Sequence, residues 1–159
     1  MSQDQPIEPV RHSVTVALPV EAAWRLFTAE TGRWWPVSDS YSIHGAAVTG
    51  VEWEPRVGGE LREVTADGET GHWAEVLEWE PPHRLVLAWR AGPSDRPATE
   101  VEVRFSADGD GTRVELEHRG WERLGADGDA LRESYLEGWP FVIGRFEAAA
   151  SPSLSASES

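Results

Sequence analysis

From residue 10 the chain alternates. His12, Val14, Val16 and Leu18 fall on one side and Arg11, Ser13 and Thr15 on the other, the period of two that marks a half-buried strand. Pro19 then fixes a backbone angle from which a helix can start. Val20, Ala23, Trp24 and Phe27 share one face of a short helix over 20–28. In TGRWWP, residues 31–36, Trp34 and Trp35 on a helical turn would point about 100° apart. The spacing therefore predicts that one of them borders a cavity or the surface. Residues 38–49 read as a loop.

Strands then recur over 48–53, 60–64, 71–79, 84–90, 99–105 and 112–120. Between them lie turn signals: Pro55 with Gly58-Gly59, Asp67-Gly68, Glu80-Pro81-Pro82-His83, the loop over 92–97, and Asp108-Gly109-Asp110-Gly111. In the last two strands Val101, Val103, Phe105, Val114, Leu116 and His118 point inward. Glu100, Glu102, Arg104, Arg113, Glu115 and Glu117 point to solvent. On the strand over 71–79, an inward set of Trp73, Leu77 and Trp79 carries Glu75 in with it. A lone buried carboxylate is costly, so the pattern calls either for a partner, Arg90 or Arg62, or for a bulge that breaks the register.

At residue 129 the period changes. Leu131, Tyr135, Trp139, Val142, Phe146 and Ala149 recur every three or four residues, which predicts one helix over 129–150 whose apolar face closes the core. Pro140 conflicts with this locally, because it lacks an N–H and collides with the carbonyl four residues back. A kink near 138–140, or a restart with Pro140 in a first turn, is expected. The order of elements gives an α+β fold in which a curved antiparallel sheet wraps a long C-terminal helix.

Length and composition narrow the function classes. A chain of 159 residues with 40% hydrophobic content suits one domain over 10–150, with a flexible arm over 1–9 and a polar, disordered tail over 151–159. The 28 acidic side chains against 14 basic ones leave a formal charge of -14, which repels nucleic acid and anionic membrane surfaces. No apolar run approaches the ~20 residues that span a bilayer, and the first residues lack a leader pattern, so a cytoplasmic protein is expected. Cysteine is absent, which excludes disulfides and thiolate chemistry. Every basic residue is Arg and there is no Asn, a bias expected of GC-rich, bacterial coding.

The five His show no metal-ligand spacing, so no metal and no cofactor is expected. His118, inward beside Leu116 and Val114, has two readings. It is a buried imidazole satisfied by a backbone carbonyl or a water, or it contacts a ligand or transfers a proton. His12 faces the same way. Most of the nine Trp belong to the core. Trp35, Trp89 and Trp139, next to a loop or on an inward face, are candidates for the walls of a pocket for a flat apolar ligand. His118 and Tyr135 are candidate polar anchors.

Several segments, taken together, resemble a known family: the helix ending in Phe27-Thr28, Trp34-Trp35, Gly58-Gly59, GHWAEV over 71–76, PPHRLV over 81–86 with Trp89, TRVELEHRG over 112–120, and Gly138-Trp139. The chain is similar over residues 10–150 to the SRPBCC (START/Bet v 1-like) superfamily, in the branch like the C-terminal domain of the activator of Hsp90 ATPase. The resemblance implies a helix-grip fold enclosing a deep, mostly apolar cavity between sheet and helix. Superfamily members include lipid and hormone carriers, polyketide cyclases and aromatases, and the co-chaperone itself, so the fold alone does not choose a function. The expectation is a protein that binds a small hydrophobic or aromatic molecule at Trp35, Trp89, His118, Tyr135 and Trp139. A polyketide cyclase- or hydrolase-like enzyme and an Hsp90-type co-chaperone are the alternatives. The edge strands of an open sheet also offer a pairing surface for a homodimer.

Overall fold

The alternating segments do pair into one sheet. The computed structural model describes residues 8–35, 48–89 and 98–150. In it the chain runs β1 (Val10–Val16), α1 (Val20–Phe27), α2 (Thr31–Trp34), β2 (Val48–Trp53), β3 (Glu60–Thr65), β4 (Thr70–Glu80), β5 (Arg84–Trp89), β6 (Thr99–Asp108), β7 (Gly111–Arg119), a 3-10 helix (Trp121–Asp127) and α3 (Gly128–Ala149). Every neighbouring pair is antiparallel, in the order β1-β7-β6-β5-β4-β3-β2. The α+β expectation holds, with α1, α2 and α3 gathered on the concave side. The tail over 151–159, most of the arm, and the loops over 38–47 and 92–97 fall outside the described residues. Glu8, at the described end of the arm, accepts a hydrogen bond at its backbone oxygen from Arg132 Nε of α3 at 2.5 Å.

Register shifts at Val48/Gly50, Leu61/Arg62 and Val76/Glu78 mark irregularities that bend the sheet around the helix. They also change which side chains face in. Opposite the second shift Trp73 and Ala74 are both buried, the inward set continues at Val76, and Glu75 and Leu77 come out to solvent. The inward Glu75 of the simple alternation is thus corrected by a bulge, and the carboxylate that is buried on this side of the sheet is Glu63 of β3.

The Trp pair departs from the divergence of about 100° expected on a helical turn for a similar reason. Trp35 leaves the helical turn with an extended backbone (φ -67, ψ 130), so the angle between successive helical residues no longer applies. Both Trp34 and Trp35 are buried. Trp34 donates its indole N–H to the carbonyl of Leu26 at 2.8 Å and packs 5.2 Å from Phe146.

In α3 the buried side chains are Trp139, Val142, Ile143 and Phe146. Ala149 is exposed and Ala150 takes the inward place. The helix runs through Pro140 without interruption, since Pro140 lies on the exposed side, where water can serve the carbonyl that loses its N–H partner. The break comes earlier, at Gly125 (φ 61, ψ -128), which only glycine adopts readily and which turns the 3-10 helix into α3. Phe27, Trp34, Phe105 and Phe146 then meet edge to face or tilted at 5.2–5.6 Å between sheet and helices.

On the convex side Glu102 is not the free surface carboxylate that alternation suggests. Its side chain is only 6% exposed and lies 2.7 Å from Arg84, Arg104 and Arg119. Burial alone would raise its pKa, but the hydrogen bonds from Arg119, Arg84 and Arg104 prevail and hold the carboxyl at about 2.

The core contacts of α3 carry the docking of the helix. Phe146→Ala is expected to cost roughly 3–5 kcal/mol, while Leu136→Ala, on the exposed face, should stay within about 0.5 kcal/mol. Urea unfolding of both variants checks this, and equal losses would count against α3 as the closing element.

Candidate functional site

The inward faces of β4 to β7 deliver their side chains to the same place as one face of α3. Trp89 closes β5 opposite Thr99 of β6, and His118 of β7 pairs with Val101, two residues further along β6. Tyr135 and Trp139, one helical turn apart, lie over them, and Trp35 arrives from the end of α2. The five residues nominated from the sequence are brought together. Trp35 is 6.2 Å from Trp89 and 5.9 Å from Trp139, ring centre to ring centre; Trp89 is 5.7 Å from Trp139, and His118 is 4.9 Å from Tyr135. Trp89 donates its indole N–H to the Tyr135 hydroxyl oxygen at 3.0 Å. Trp73 and Trp121, which the sequence gave no reason to single out, complete the cluster at 4.9 Å from Trp35 and 4.1 Å from His118.

His118 is fully buried, and its hydrogen bonds define its state. Trp139 Nε1–H can only donate, and it lies 3.0 Å from Nδ1 of His118, so Nδ1 is the acceptor. The proton of the neutral ring is then on Nε2, which donates to the Thr99 hydroxyl at 2.7 Å. The Thr99 hydroxyl in turn points to the carbonyl of Trp89 at 3.4 Å, and Trp121 donates to the His118 carbonyl at 2.9 Å. Burial pushes the imidazole down to about 3, because a charged ring there would lose its hydration and displace the Trp139 donor. In this arrangement both ring nitrogens are occupied by protein groups. The partners are side chains rather than the carbonyl or water expected of a buried His. His12 is only half-buried, opposite Leu116 of β7.

Alternation could have found one further residue. Leu61 and Thr65 face the interior of β3, which places Glu63 between them on the same side, and it is fully buried. Its Oε1 accepts the indole N–H of Trp73 at 2.7 Å. Among the described residues no group of His, Asp and Glu has the geometry to hold a metal ion.

Among the described residues, the deep cavity implied by the resemblance is reduced to a small space. The space bounded by Phe27, Trp34, Trp35, Trp89, Val103 and Trp139 measures about 10 Å³, room for about one water. The aromatic rings themselves fill it. A larger hollow, about 520 Å³, lies on the convex side of β1, β7 and β6 and is lined by Arg11, Ser13, Arg104, Arg113, Glu115 and Glu117. Its charges pair with one another, as in Arg11–Glu117 at 3.4 Å and Arg113–Glu115 at 3.2 Å.

A curled antiparallel sheet gripping a C-terminal helix over an aromatic interior defines a helix-grip protein. Consistent with this, the family described as Activator of Hsp90 ATPase homolog 1-like protein matches residues 17–151, and the chain belongs to it. No curated protein matches the sequence. Among solved structures, an anthrahydroquino-γ-pyrone synthase, Txn09, determined in complex with SUM, is 39% identical over 77% of this chain and 83% of its own, with a TM-score of 0.56. CalC from Micromonospora echinospora, described as a self-sacrificing resistance protein, is 29% identical over 90% of this chain and 94% of its own, with a TM-score of 0.64. CalU16 from the same organism, at 23% identity over 93% and 79% with a TM-score of 0.62, shares the fold. No helix among the described residues is long and apolar enough to cross a membrane.

The buried imidazole makes a pH test. The unfolded chain binds the His118 proton near pH 6.5 and the folded chain near pH 3, so unfolding takes up a proton between these values. Stability should therefore be independent of this group above pH 6.5 and fall as the pH falls below it, by up to about 1.4 kcal/mol per unit. Glu102 adds its own loss only below about pH 4.5. Denaturant melts between pH 6.5 and 4.5 isolate the His118 share. His118→Gln, which keeps an acceptor and a donor but does not titrate, should flatten that interval, and a flat wild-type profile would contradict the assignment.

Proposed function

We propose that the protein binds a planar, polycyclic aromatic molecule of the polyketide type between its sheet and α3. The observation that carries this reading is the contiguous aromatic wall built from α2, β4, β5 and α3, with Trp35, Trp89, Trp139 and Tyr135 supplying ring faces and His118 positioning Trp139. Ring faces at 5–6 Å spacing suit a flat guest, which stacks with the same preference the rings show for one another. The 39% identity to a synthase that makes an anthrahydroquinone γ-pyrone supports the same ligand class.

The space that the described residues leave between sheet and α3 is about 10 Å³. Pockets for molecules of this size measure about 300–1,000 Å³, so the guest must select or create an opened form. The observed affinity is lower than the intrinsic one by the open fraction.

The synthase similarity also favours a second reading, a cyclase-type enzyme acting on that guest. There the aromatic wall folds the substrate and excludes water, and the Tyr135 hydroxyl is the group placed to hydrogen-bond a carbonyl oxygen during ring closure. A co-chaperone role rests on the family description alone.

Titration with hydroxylated anthraquinones, followed by quenching of tryptophan emission, is expected to give saturable one-to-one binding with a Kd on the order of micromolar. Trp35→Leu should weaken it by about two- to tenfold, the ~0.5–1.5 kcal/mol of one aromatic pair. Binding that does not saturate, or that is indifferent to Trp35, would remove the reading.

A further inference from the structure

We infer that Trp53 is the side chain a guest displaces on its way into the interior: its indole ring covers an approach from solvent and is latched there by a hydrogen bond to Thr31. The inference rests on the aromatic-binding reading above and adds to it the route by which the wall is reached.

Burial picks out Trp53. Among the described residues that bound the small space between sheet and α3, Thr31, Trp34, Trp35, Leu61 and the others are buried, and Trp53 alone is half-buried. The same ring therefore meets both the interior and water. It stands at the end of β2, opposite Leu61, on an edge strand whose pairing with β3 already slips at Val48/Gly50. Trp89, by contrast, stands on an inner strand with a neighbour on each side, and Trp139 is fastened to His118.

The latch opens at little cost. Trp53 donates its indole N–H to the Thr31 hydroxyl at 2.8 Å. That hydroxyl directs its own proton to the carbonyls of Phe27 and Thr28 at the end of α1, at 2.5 and 2.8 Å, so Thr31 keeps an acceptor when Trp53 leaves. The indole N–H, on a ring already partly in water, finds a water acceptor as it swings out. Other interior indoles lose more by moving, since Trp73 and Trp139 donate to the fully buried Glu63 and His118. The ring neighbour of Trp53 on the outer side, Trp79 at 5.8 Å, is also half-buried, so the swing disturbs a pair at the rim of the core.

A side chain that guards an entrance acts on rates. Breaking the latch raises the population with the entrance open, so a guest arrives and leaves faster by the same factor. The latch re-forms behind the bound guest and leaves the affinity unchanged. A residue of the wall would instead shorten the stay of the guest and weaken its binding.

The test is stopped-flow quenching of tryptophan emission by anthraflavic acid. It compares wild type with Trp53→Phe, which keeps a ring and loses the donor, and with Thr31→Val, which keeps the shape and loses the acceptor. Each variant should raise the association and dissociation rates together by about two- to tenfold, the effect of one net hydrogen bond, with Kd changed by less than about twofold. The double variant should be no faster than either single one, because both remove the same contact. Circular dichroism establishes that the variants are folded, and Thr31→Val tests the latch by itself if Trp53→Phe does not fold. A change in one of the two rates only, additive effects in the double variant, or no change at all would overturn the role of Trp53 while leaving the binding reading intact. Failure of wild type to bind anthraflavic acid would overturn both.

Discussion

The chain of hydrogen bonds from Trp139 through His118 to Thr99 joins the C-terminal helix to the middle of the sheet, and the rest of the interior is arranged around it. It crosses from α3 to β7 to β6 and ends near the carbonyl of Trp89 on β5. Each member is buried and each donor has an acceptor, so the helix docks in one rotation about its axis. A purely apolar interface would tolerate sliding at little cost; a buried donor that loses its partner would not. The aromatic rings then pack where this anchor leaves them. Trp121 lies against one side of the imidazole and Tyr135 meets it edge-on.

The two sides of the sheet handle polarity in opposite ways. On the convex side, acidic residues dominate the sequence, and the arginines are threaded among them so that Glu102 is shared by three guanidinium groups. Where the register of a chain of net charge -14 sets Glu102 directly opposite Glu117, Arg119 bridges the two carboxylates, at 2.7 Å and 3.4 Å. On the concave side, polar groups are few and individually held by indole N–H donors: Nδ1 of His118 by Trp139, the Tyr135 oxygen by Trp89, Oε1 of Glu63 by Trp73. Tryptophan suits that duty because it supplies apolar area and a single donor in the same side chain.

Tight packing among the described residues and the proposed ligand binding are compatible when the wall is made of rings that can exchange partners. Each contact between Trp35, Trp73, Trp89 and Trp139 is of a kind that the flat guest of the proposal would replace with its own ring faces. The family gives the scaffold, and the similarity to a pyrone synthase and to CalC gives the direction of the proposal. The energetic question becomes how often the helix and the α2–Trp35 corner part, which is a population rather than a shape.

How much of this was legible in the sequence follows from the range of the interactions involved. The period of two in 99–105 and 112–120 and the period near 3.6 in 129–150 are local properties of the backbone, and they specified strands, helix and the inward placement of Trp89, His118, Tyr135 and Trp139 before any packing was considered. The inward Glu63 was equally open to the same alternation. Three features were not. The bulge that turns Glu75 outward is decided by strand pairing with β3; the extended backbone at Trp35 is decided by the core that receives its ring; and the occupation of both His118 nitrogens depends on residues 19 and 21 positions away in the chain. Pro140 belongs with these, since its tolerance in α3 follows from facing solvent once the helix is docked. The sequence by itself therefore determined which elements form and which side of each is apolar, because those follow from local periodicity. Only the tertiary structure decided whether the room between them is open or filled, because that depends on how side chains distant in sequence meet.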